Sequence, residues 1–278
     1  MPPSSAGWSN GGRRAISCRT DRSALDWAAL ALRSEIAYSQ ARGGAPGRHD
    51  GFIHIHNKHV PWGGDFNRAV DCAITDQASF ERIEAEVKRI HADQGLEPPD
   101  RFDLRPPALE VRDWQAFLAG KGYVMHTALF FAAPAKAYSG DEGYSLRRPT
   151  DNEYFERHEE QLQKTDYFDE QWFREIIPLE KMFIRTFAPF WLVRGPQLLA
   201  SLHCAHLGDC SRLFDVEVAE QHRGQGRGKL LLDLIRAEAQ KSGSRQVLLQ
   251  TTEGLRPFYE KAGFAEISRN SVIRRKLP

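Results

Sequence analysis

A glycine-rich segment, residues 223–229, joins two stretches with different apolar spacing. Residues 214–218 carry apolar side chains at every second position, which predicts a strand, and residues 230–235 repeat them at the spacing of one helical face. Glycine accepts backbone angles that other residues avoid, so successive N–H groups can point into one concavity at the start of the helix. The segment therefore predicts an anion site at a helix N-terminus.

The charges of this segment suit a phosphate group. Unpaired N–H groups and the positive end of the helix dipole favour an anion, and Arg223, Arg227 and Lys229 add full positive charges. A pyrophosphate is the predicted ligand. The alternative is a tight strand-to-helix turn with a solvated basic rim.

The spacing excludes two common phosphate motifs. Single residues separate Gly224, Gly226 and Gly228, unlike the dinucleotide-binding fingerprint, and neither Ser nor Thr follows Lys229 as a P-loop requires. A second, independent signal lies further along the chain. Residues 245–250 predict a strand, and Leu-Arg-Pro-Phe-Tyr-Glu-Lys-Ala-Gly-Phe follows at residues 255–264.

Together the two signals resemble the GCN5-related N-acetyltransferase (GNAT) superfamily. Residues 223–228, Arg-Gly-Gln-Gly-Arg-Gly, are similar to the acyl-CoA loop of that family, and residues 255–264 are similar to its short helix and following turn. The resemblance extends from Tyr144 to the end of the chain. It implies an α/β fold whose mixed central sheet contains a splayed parallel strand pair and carries flanking helices. It also implies direct transfer of an acetyl group from acetyl-CoA to a primary amine.

The resemblance assigns roles to single residues. Tyr259 stands where the family has its usual general acid, and a packed core aromatic is the alternative. Glu217 is the candidate base, with Asp215 on the same strand face by the period of two, and a surface carboxylate is the alternative. Thr252 stands near the position where many members hold the pantetheine arm with an asparagine. The implied acyl-CoA contacts are Val216, Val218, Arg223, Gly224, Gln225, Gly226, Arg227, Gly228, Lys229 and Thr252.

The N-terminal part of the chain repeats the order of elements without the motif. Residues 23–41 predict a helix, the cluster Gly43 to Gly47 predicts a loop, and strand and helix patterns alternate up to Pro134. We therefore predict a flexible tail in residues 1–21, a degenerate GNAT-like domain in residues 22–134 and a catalytic GNAT domain in residues 144–278. An unrelated N-terminal α/β domain is the alternative. Residues 75–79, Thr-Asp-Gln-Ala-Ser, lack glycine and positive charge, so we expect no second CoA site.

Composition limits the partners of the protein. The 278 residues carry 38 basic and 37 acidic side chains, a formal charge of +1, so no global field attracts nucleic acid or a membrane. Four cysteines without CxxC spacing favour a reducing compartment, and we expect a cytoplasmic monomer or homodimer. A catalytically weak CoA-binding or interaction module is the alternative to an enzyme.

Two further groups of side chains, three histidines and three aromatics, are candidates for ligand binding. His54, His56 and His59 lie close in sequence, but no carboxylate or additional histidine completes a metal site, so we expect no metal there. Some of the aromatic side chains of Tyr167, Phe168 and Trp172 are expected to face the acceptor.

Overall fold

The computed structural model describes residues 27–60, 66–106, 109–140, 143–163 and 170–276. The predicted tail therefore lies outside the described residues. The helices are α1 (Trp27–Ala41), α2 (Gln77–Asp93), α3 (Val111–Gly120), α4 (Asp151–Gln163), α5 (Glu170–Thr186), α6 (Arg227–Lys241) and α7 (Arg256–Lys261). Within the described ranges, no helix combines the length and the apolar character needed to cross a bilayer.

A single mixed sheet organises the fold. Its strands are β1 (Ala45–His49), β2 (Phe52–His56), β3 (Arg68–Cys72), β4 (Arg101–Leu104), β5 (Tyr123–Pro134), β6 (Ser145–Arg147), β7 (Ala188–Arg194), β8 (Gln197–Leu207), β9 (Cys210–Val218), β10 (Gln246–Thr251) and β11 (Ala265–Arg275). They lie in the order β1-β2-β3-β4-β11-β5-β10-β9-β8-β7-β6. The pairs β3–β4 and β9–β10 are parallel, and the other neighbours are antiparallel. The predicted mixed α/β sheet is confirmed.

One predicted loop is wrong. The glycine and proline cluster before His49 indicated a connection, but Ala45–His49 forms β1 and pairs with β2. β1 is an edge strand of the sheet, where Pro46 does not interrupt a hydrogen-bonded ladder on both sides. Composition alone cannot separate such an edge strand from a loop.

The two parts of the chain exchange strands. β5, from the N-terminal part, lies between the C-terminal strands β10 and β11, and β11 lies between β4 and β5. Leu129, Phe131 and Ala133 of β5 accordingly belong to the same apolar core as Leu231 and Ile235 of α6. The sheet is thus continuous, whereas the proposed boundaries at residues 134 and 144 stay a prediction.

The chain contains a repeated tetrapeptide pattern at equivalent places in the sheet. Arg68-Ala-Val-Asp71 lies in β3 and Arg212-Leu-Phe-Asp215 in β9, and each strand is the first partner of a parallel pair. Asp71 and Asp215 both have positive φ, 54° and 50°. The shared pattern supports the proposed tandem arrangement independently of element order.

Both repeated arginines bind the same carboxylate. Arg68 and Arg212 are fully buried, with side chains 1% and 0% exposed, and each forms an ion pair with Glu35 of α1. Arg68 Nη2 lies 2.9 Å from Glu35 Oε2, and Arg212 Nη1 donates to Ser34 Oγ at 2.8 Å. Burial opposes ionisation of Glu35, but the two guanidinium groups outweigh it and lower the pKa of Glu35. Helix α1 therefore links the N-terminal and C-terminal parts of the sheet through buried charge.

Candidate functional site

The parallel strands β9 and β10 separate part-way along their length. Their pairing ends at Arg212 opposite Leu248. Beyond this point β9 continues to Val218 beside β8, and β10 continues to Thr251 beside β5. The strands thus enclose an opening whose backbone groups have no partner across it, which confirms the predicted splayed pair.

A β-bulge lies on β9 at the mouth of this opening. The β8–β9 register shifts between Ser201 and His203, so Asp215 and Val216 face the single residue Leu202. Asp215 takes the left-handed conformation that a bulge residue can require. The bulge redirects the strand at the position where the resemblance places the reacting groups.

The equivalent N-terminal strands stay closed. Asp71 has the same backbone conformation, but β3 and β4 resume pairing at Cys72 opposite Leu104, and the Arg105 N–H donates to the Cys72 carbonyl at 2.9 Å. The N-terminal part therefore has the bulge without the opening.

The glycine segment leaves the start of α6 uncapped. Gly226 is the N-cap of α6 with φ of 76°, and no side chain among the described residues caps this helix start. A Cβ at Gly224 or Gly226 would meet no atom within 4 Å, whereas a Cβ at Gly228 would lie 2.9 Å from Phe258 Cζ. Gly224 and Gly226 thus shape an open loop, and Gly228 allows α6 to pack against α7.

The polar side chains of the segment have partners within the protein. Arg223 Nε donates to the Val218 carbonyl at 3.1 Å, and Gln225 Nε2 donates to the Gln221 carbonyl at 2.9 Å. The Arg227 guanidinium lies 4.6 Å from the centre of the Tyr144 ring. Lys229 Nζ lies 2.5 Å from Asp233 Oδ2, but the same carboxylate also pairs with Lys136 and Arg236. The cations beside the loop therefore leave a net positive charge there.

Tyr259 lies in the core at the base of α7. Its side chain is 5% exposed, and its ring packs 4.9 Å from Phe258 and 6.1 Å from Phe264 by centroid distance. Burial raises the pKa of Tyr259, so the phenol stays protonated at neutral pH. Within the described part of the chain its hydroxyl has no hydrogen-bond partner. Thr252 is exposed directly after β10, and its predicted contact with pantetheine stays a prediction.

A cavity of about 240 Å³ lies beside the bulge, between helices α4 and α5 and strands β7 to β9. Both predicted carboxylates, Asp215 and Glu217, belong to its wall. The other lining residues are Tyr154, Arg157, His158, Glu180, Pro189, Trp191, Ser201, Leu202 and His203. A small molecule bound here would lie next to the split strands.

Comparison with known proteins identifies the family of this region. Residues 172–276 match the family described as "Acetyltransferase (GNAT) domain". Residues 172–276 are a GNAT domain. The match contains β9, the glycine segment, β10 and α7, which are the elements on which the sequence resemblance rested.

Solved structures extend the likeness to most of the chain. A functionally unknown conserved protein from Staphylococcus epidermidis ATCC 12228 is 12% identical, with a TM-score of 0.64 over 84% of this chain and 95% of its own. A GCN5-related N-acetyltransferase from Kribbella flavida is 15% identical, with a TM-score of 0.59 over 90% of this chain and 96% of its own. At this identity the likeness concerns the fold, which the GNAT domain shares with the acetyltransferase.

A polar chain that sequence reasoning missed runs along the cavity of the GNAT domain. His203 Nδ1 lies 3.3 Å from Asp215 Oδ2, and His203 Nε2 lies 3.0 Å from the Tyr154 hydroxyl. Burial and the charges of Glu180 and Asp215 raise the pKa of Tyr154, so its hydroxyl is protonated and donates to Nε2. Asp215 lies in a concave wall that opposes its ionisation, but its side chain is 69% exposed, and contact with His203 lowers the Asp215 pKa. The alternation of Ser201 and His203 among apolar residues of β8 was the available sequence signal.

Some predicted acceptor contacts of the GNAT domain fall outside this description. Tyr167 and Phe168 lie in the undescribed segment 164–169, and the side chain of Trp172 is likewise outside the described part. Their contact with an acceptor stays a prediction.

The predicted histidine group lies away from the GNAT cavity. The rings of His54 and His56 stack at 5.7 Å, His54 lies 5.0 Å from His91 of α2, and His59 is exposed. Among the described residues, no three or more His, Cys, Asp or Glu side chains are arranged to hold a metal ion. His54 is 1% exposed, and its buried Nε2 has no hydrogen-bond partner.

Burial, together with the neighbouring His91 and His56, lowers the pKa of His54 to about 3. The unfolded chain, with a pKa near 6.5, binds this proton more readily, so folding stability falls as the pH drops below about 6.5. Wild type should therefore lose folding stability between neutral pH and about pH 5. We expect this loss to be about 2 kcal/mol smaller in His54→Phe, which keeps an aromatic ring but cannot bind the proton. Urea midpoints at both pH values measure this, with the exposed His59→Phe as control. An equal loss in wild type and His54→Phe would contradict it.

Proposed function

We propose that the protein is an N-acyltransferase that moves an acetyl group from acetyl-CoA to a primary amine by direct transfer. One observation carries the proposal: the opening between β9 and β10 adjoins the uncapped N-terminus of α6 within a GNAT domain. The position for a Cβ on Gly228 lies 3.3 Å from Val218 Cγ2, so the start of α6 and the end of β9 are in contact. A phosphate at the helix start and a thioester between the strands can thus belong to one molecule.

The donor is proposed to bind along this line. Backbone N–H groups from Gln225 to Lys229 hold the pyrophosphate, with Arg223 and Arg227 as nearby charges. The loop stays open at Gly224 and Gly226, and Gly228 lets α6 pack closely against α7. Backbone N–H groups near Val216 and Val218 polarise the thioester carbonyl, and Thr252 contacts the pantetheine arm.

The transfer itself requires two proton movements. The amine nitrogen attacks the thioester carbonyl carbon, the C–N bond forms and the C–S bond breaks. The proton lost by the amine passes to Glu217 or Asp215, directly or through water, and on to solvent. The departing thiolate takes a proton from the Tyr259 hydroxyl, which is then restored from solvent. The products are free CoA and an amide.

The N-terminal helix start argues for one donor site in each chain. Asp76 is the N-cap of α2, its carboxylate accepts the Ser79 N–H at 2.7 Å, and Ser79 Oγ accepts the Asp76 N–H at 3.0 Å. This capping box fills the helix end with an internal anion, so a phosphate would meet both occupied donors and a like charge.

Substitution of Gly226 tests the proposed donor site. Both Asp and Asn tolerate positive φ, and nothing lies within 4 Å of the position for a Cβ, so Gly226→Asp and Gly226→Asn should fold alike. Only the first places a negative charge beside the phosphates. We expect calorimetry to give one acetyl-CoA per wild-type chain and an affinity at least about 100-fold lower in Gly226→Asp than in Gly226→Asn. Equal affinities of the two variants would contradict the proposed donor site. Two bound acetyl-CoA molecules per chain would contradict the proposal of a single site.

A second candidate is a CoA-binding or interaction module without turnover. The closed β3–β4 pair and the capped α2 favour it, because one part of this chain already keeps GNAT-like elements without a donor site. Release of free CoA from acetyl-CoA with a panel of primary amines separates the candidates. Amine-dependent release supports the enzyme, and binding without release supports the module.

A further inference from the structure

We propose that the acceptor is a compact primary amine that carries its own anionic group, and that Arg157 binds this group. The inference rests on the proposed acetyl transfer and narrows the class of its acceptor. The size of the cavity beside the bulge, its charges and an arginine without a partner among the described side chains support this acceptor class.

The cavity has the size of a small metabolite. Its volume of about 240 Å³ lies below the common range for pockets of drug-sized ligands, roughly 300–1,000 Å³. Trp191 and Tyr154 supply apolar walls, and Asp215 of the bulge borders the cavity. An amino acid or a molecule of similar bulk fits such a space.

The negative charges of the lining favour an amine at the bulge end. Asp215 and Glu217 both lie on β9, next to the opening that would hold the thioester. The third carboxylate, Glu180, is offset by Arg42, whose Nη2 lies 3.2 Å from Glu180 Oε1. The uncompensated negative charge is thus concentrated on β9, where an ammonium group would be attracted and then deprotonated.

Arg157 adds a positive charge to a cavity lining that otherwise carries carboxylates. It lies on α4, is partly buried, and has no hydrogen-bond or ion-pair partner among the described side chains. Other arginines beside the cavity are engaged, since Arg42 pairs with Glu180 and Arg147 pairs with Glu153. Burial lowers the pKa of His158, so this neighbour on the same helix is neutral and does not replace the Arg157 charge.

A guanidinium group recognises planar anions specifically. Its parallel N–H groups match the two oxygens of a carboxylate or the oxygens of a phosphate. An acceptor with an amine at one end and an anion at the other could place its amine beside Asp215 and Glu217 and its anion on Arg157. An uncharged amine would leave Arg157 unmatched.

Matched acceptors test the proposal. The set consists of amino acids, the decarboxylated amine of each, and the pair O-phosphoethanolamine and ethanolamine, which separates phosphate from carboxylate. With acetyl-CoA, we expect the best anionic member to exceed its uncharged counterpart at least about 10-fold in kcat/KM. Arg157→Gln should lower the value for the anionic member by about 10- to 100-fold and leave the uncharged member nearly unchanged. Arg185→Gln, an exposed arginine of α5 outside the cavity, should change neither.

Two outcomes would overturn the proposal: uncharged amines that react as well as anionic ones, or Arg157→Gln lowering both classes equally. Calorimetry of the same compounds with CoA-loaded protein gives a second readout that needs no turnover. Preferential binding of anionic amines that is lost in Arg157→Gln, without any acetylated product, would retain the recognition and reject the transfer. Absence of any such preference would reject the recognition itself.

Discussion

Replacement of Tyr259 by phenylalanine is expected to lower turnover by about 100- to 10,000-fold, equivalent to roughly 3–5 kcal/mol of barrier. The ring packs between Phe258 and Phe264, and its hydroxyl has no partner among the described residues, so the change removes a proton donor and little else. Stability and acetyl-CoA affinity should therefore stay close to wild type. Steady-state rates with an identified acceptor, thermal unfolding and calorimetry measure the three quantities.

Tyr123 provides a matched control for this change. Its buried hydroxyl donates to Glu84 Oε1 at 3.0 Å, and it lies at the start of β5, before the stretch Leu129 to Pro134 that pairs with β10. Tyr123→Phe should cost about 1 kcal/mol of stability and leave turnover unchanged, the reverse of the Tyr259 result. If Tyr259→Phe keeps full turnover across the pH range, Tyr259 is a core aromatic and the thiolate leaves without its help.

Glu35→Gln is expected to reduce the free energy of unfolding by about 3–5 kcal/mol. The substitution keeps the shape of the side chain but removes the carboxylate partner of Arg212, which is 0% exposed, and leaves Arg68, 1% exposed, with Asp103 alone. Buried charges that lose a partner carry an uncompensated desolvation cost. Denaturant midpoints measure the effect.

Glu86→Gln is the surface control for Glu35→Gln. Glu86 pairs with Arg89 on the exposed side of α2, where solvent screens the interaction, so its loss should shift the midpoint little. Similar shifts in the two variants would mean that the Glu35 group does not hold the sheet together. A larger loss in Glu35→Gln should also disturb acetyl transfer, because Arg212 lies at the last paired position before the strands split.

Local patterns predicted the elements of the site well. Strand β9 and helices α6 and α7 lie where apolar spacing, the glycine segment and the Phe-Tyr-Glu-Lys pattern indicated. These signals are local, because glycine at positive φ and apolar periodicity depend on neighbours within a few residues. The expectation of no second CoA site was also based on a local signal, the lack of glycine in residues 75–79. The structure has a capping box there.

Features that depend on residues distant in sequence could not be predicted from local patterns. The exchange of β5 and β11 joins strands that are far apart in sequence, and nothing within either strand indicates the partner. The period of two also gave no hint of the bulge, although Asp215 and Glu217 both reach the cavity. The repeated Arg-x-x-Asp pattern is visible in the sequence, but it does not indicate that both arginines bind Glu35 of α1.

The pocket residues show the same limit. Tyr154, Arg157 and His203 come from α4 and β8, and only folding brings them to one cavity. In sequence they are ordinary members of a helix and a strand. Their charge and hydrogen-bonding state, on which the acceptor class depends, is a property of the assembled site.

Mass spectrometry of a mixed amine pool incubated with isotope-labelled acetyl-CoA and the wild-type protein tests the proposed transfer most directly. We expect at least one amine to gain the labelled acetyl group, free CoA to appear in equal amount, and Gly226→Asp to abolish both. Acetyl-CoA that binds but stays intact in the presence of every amine would contradict the proposed transfer.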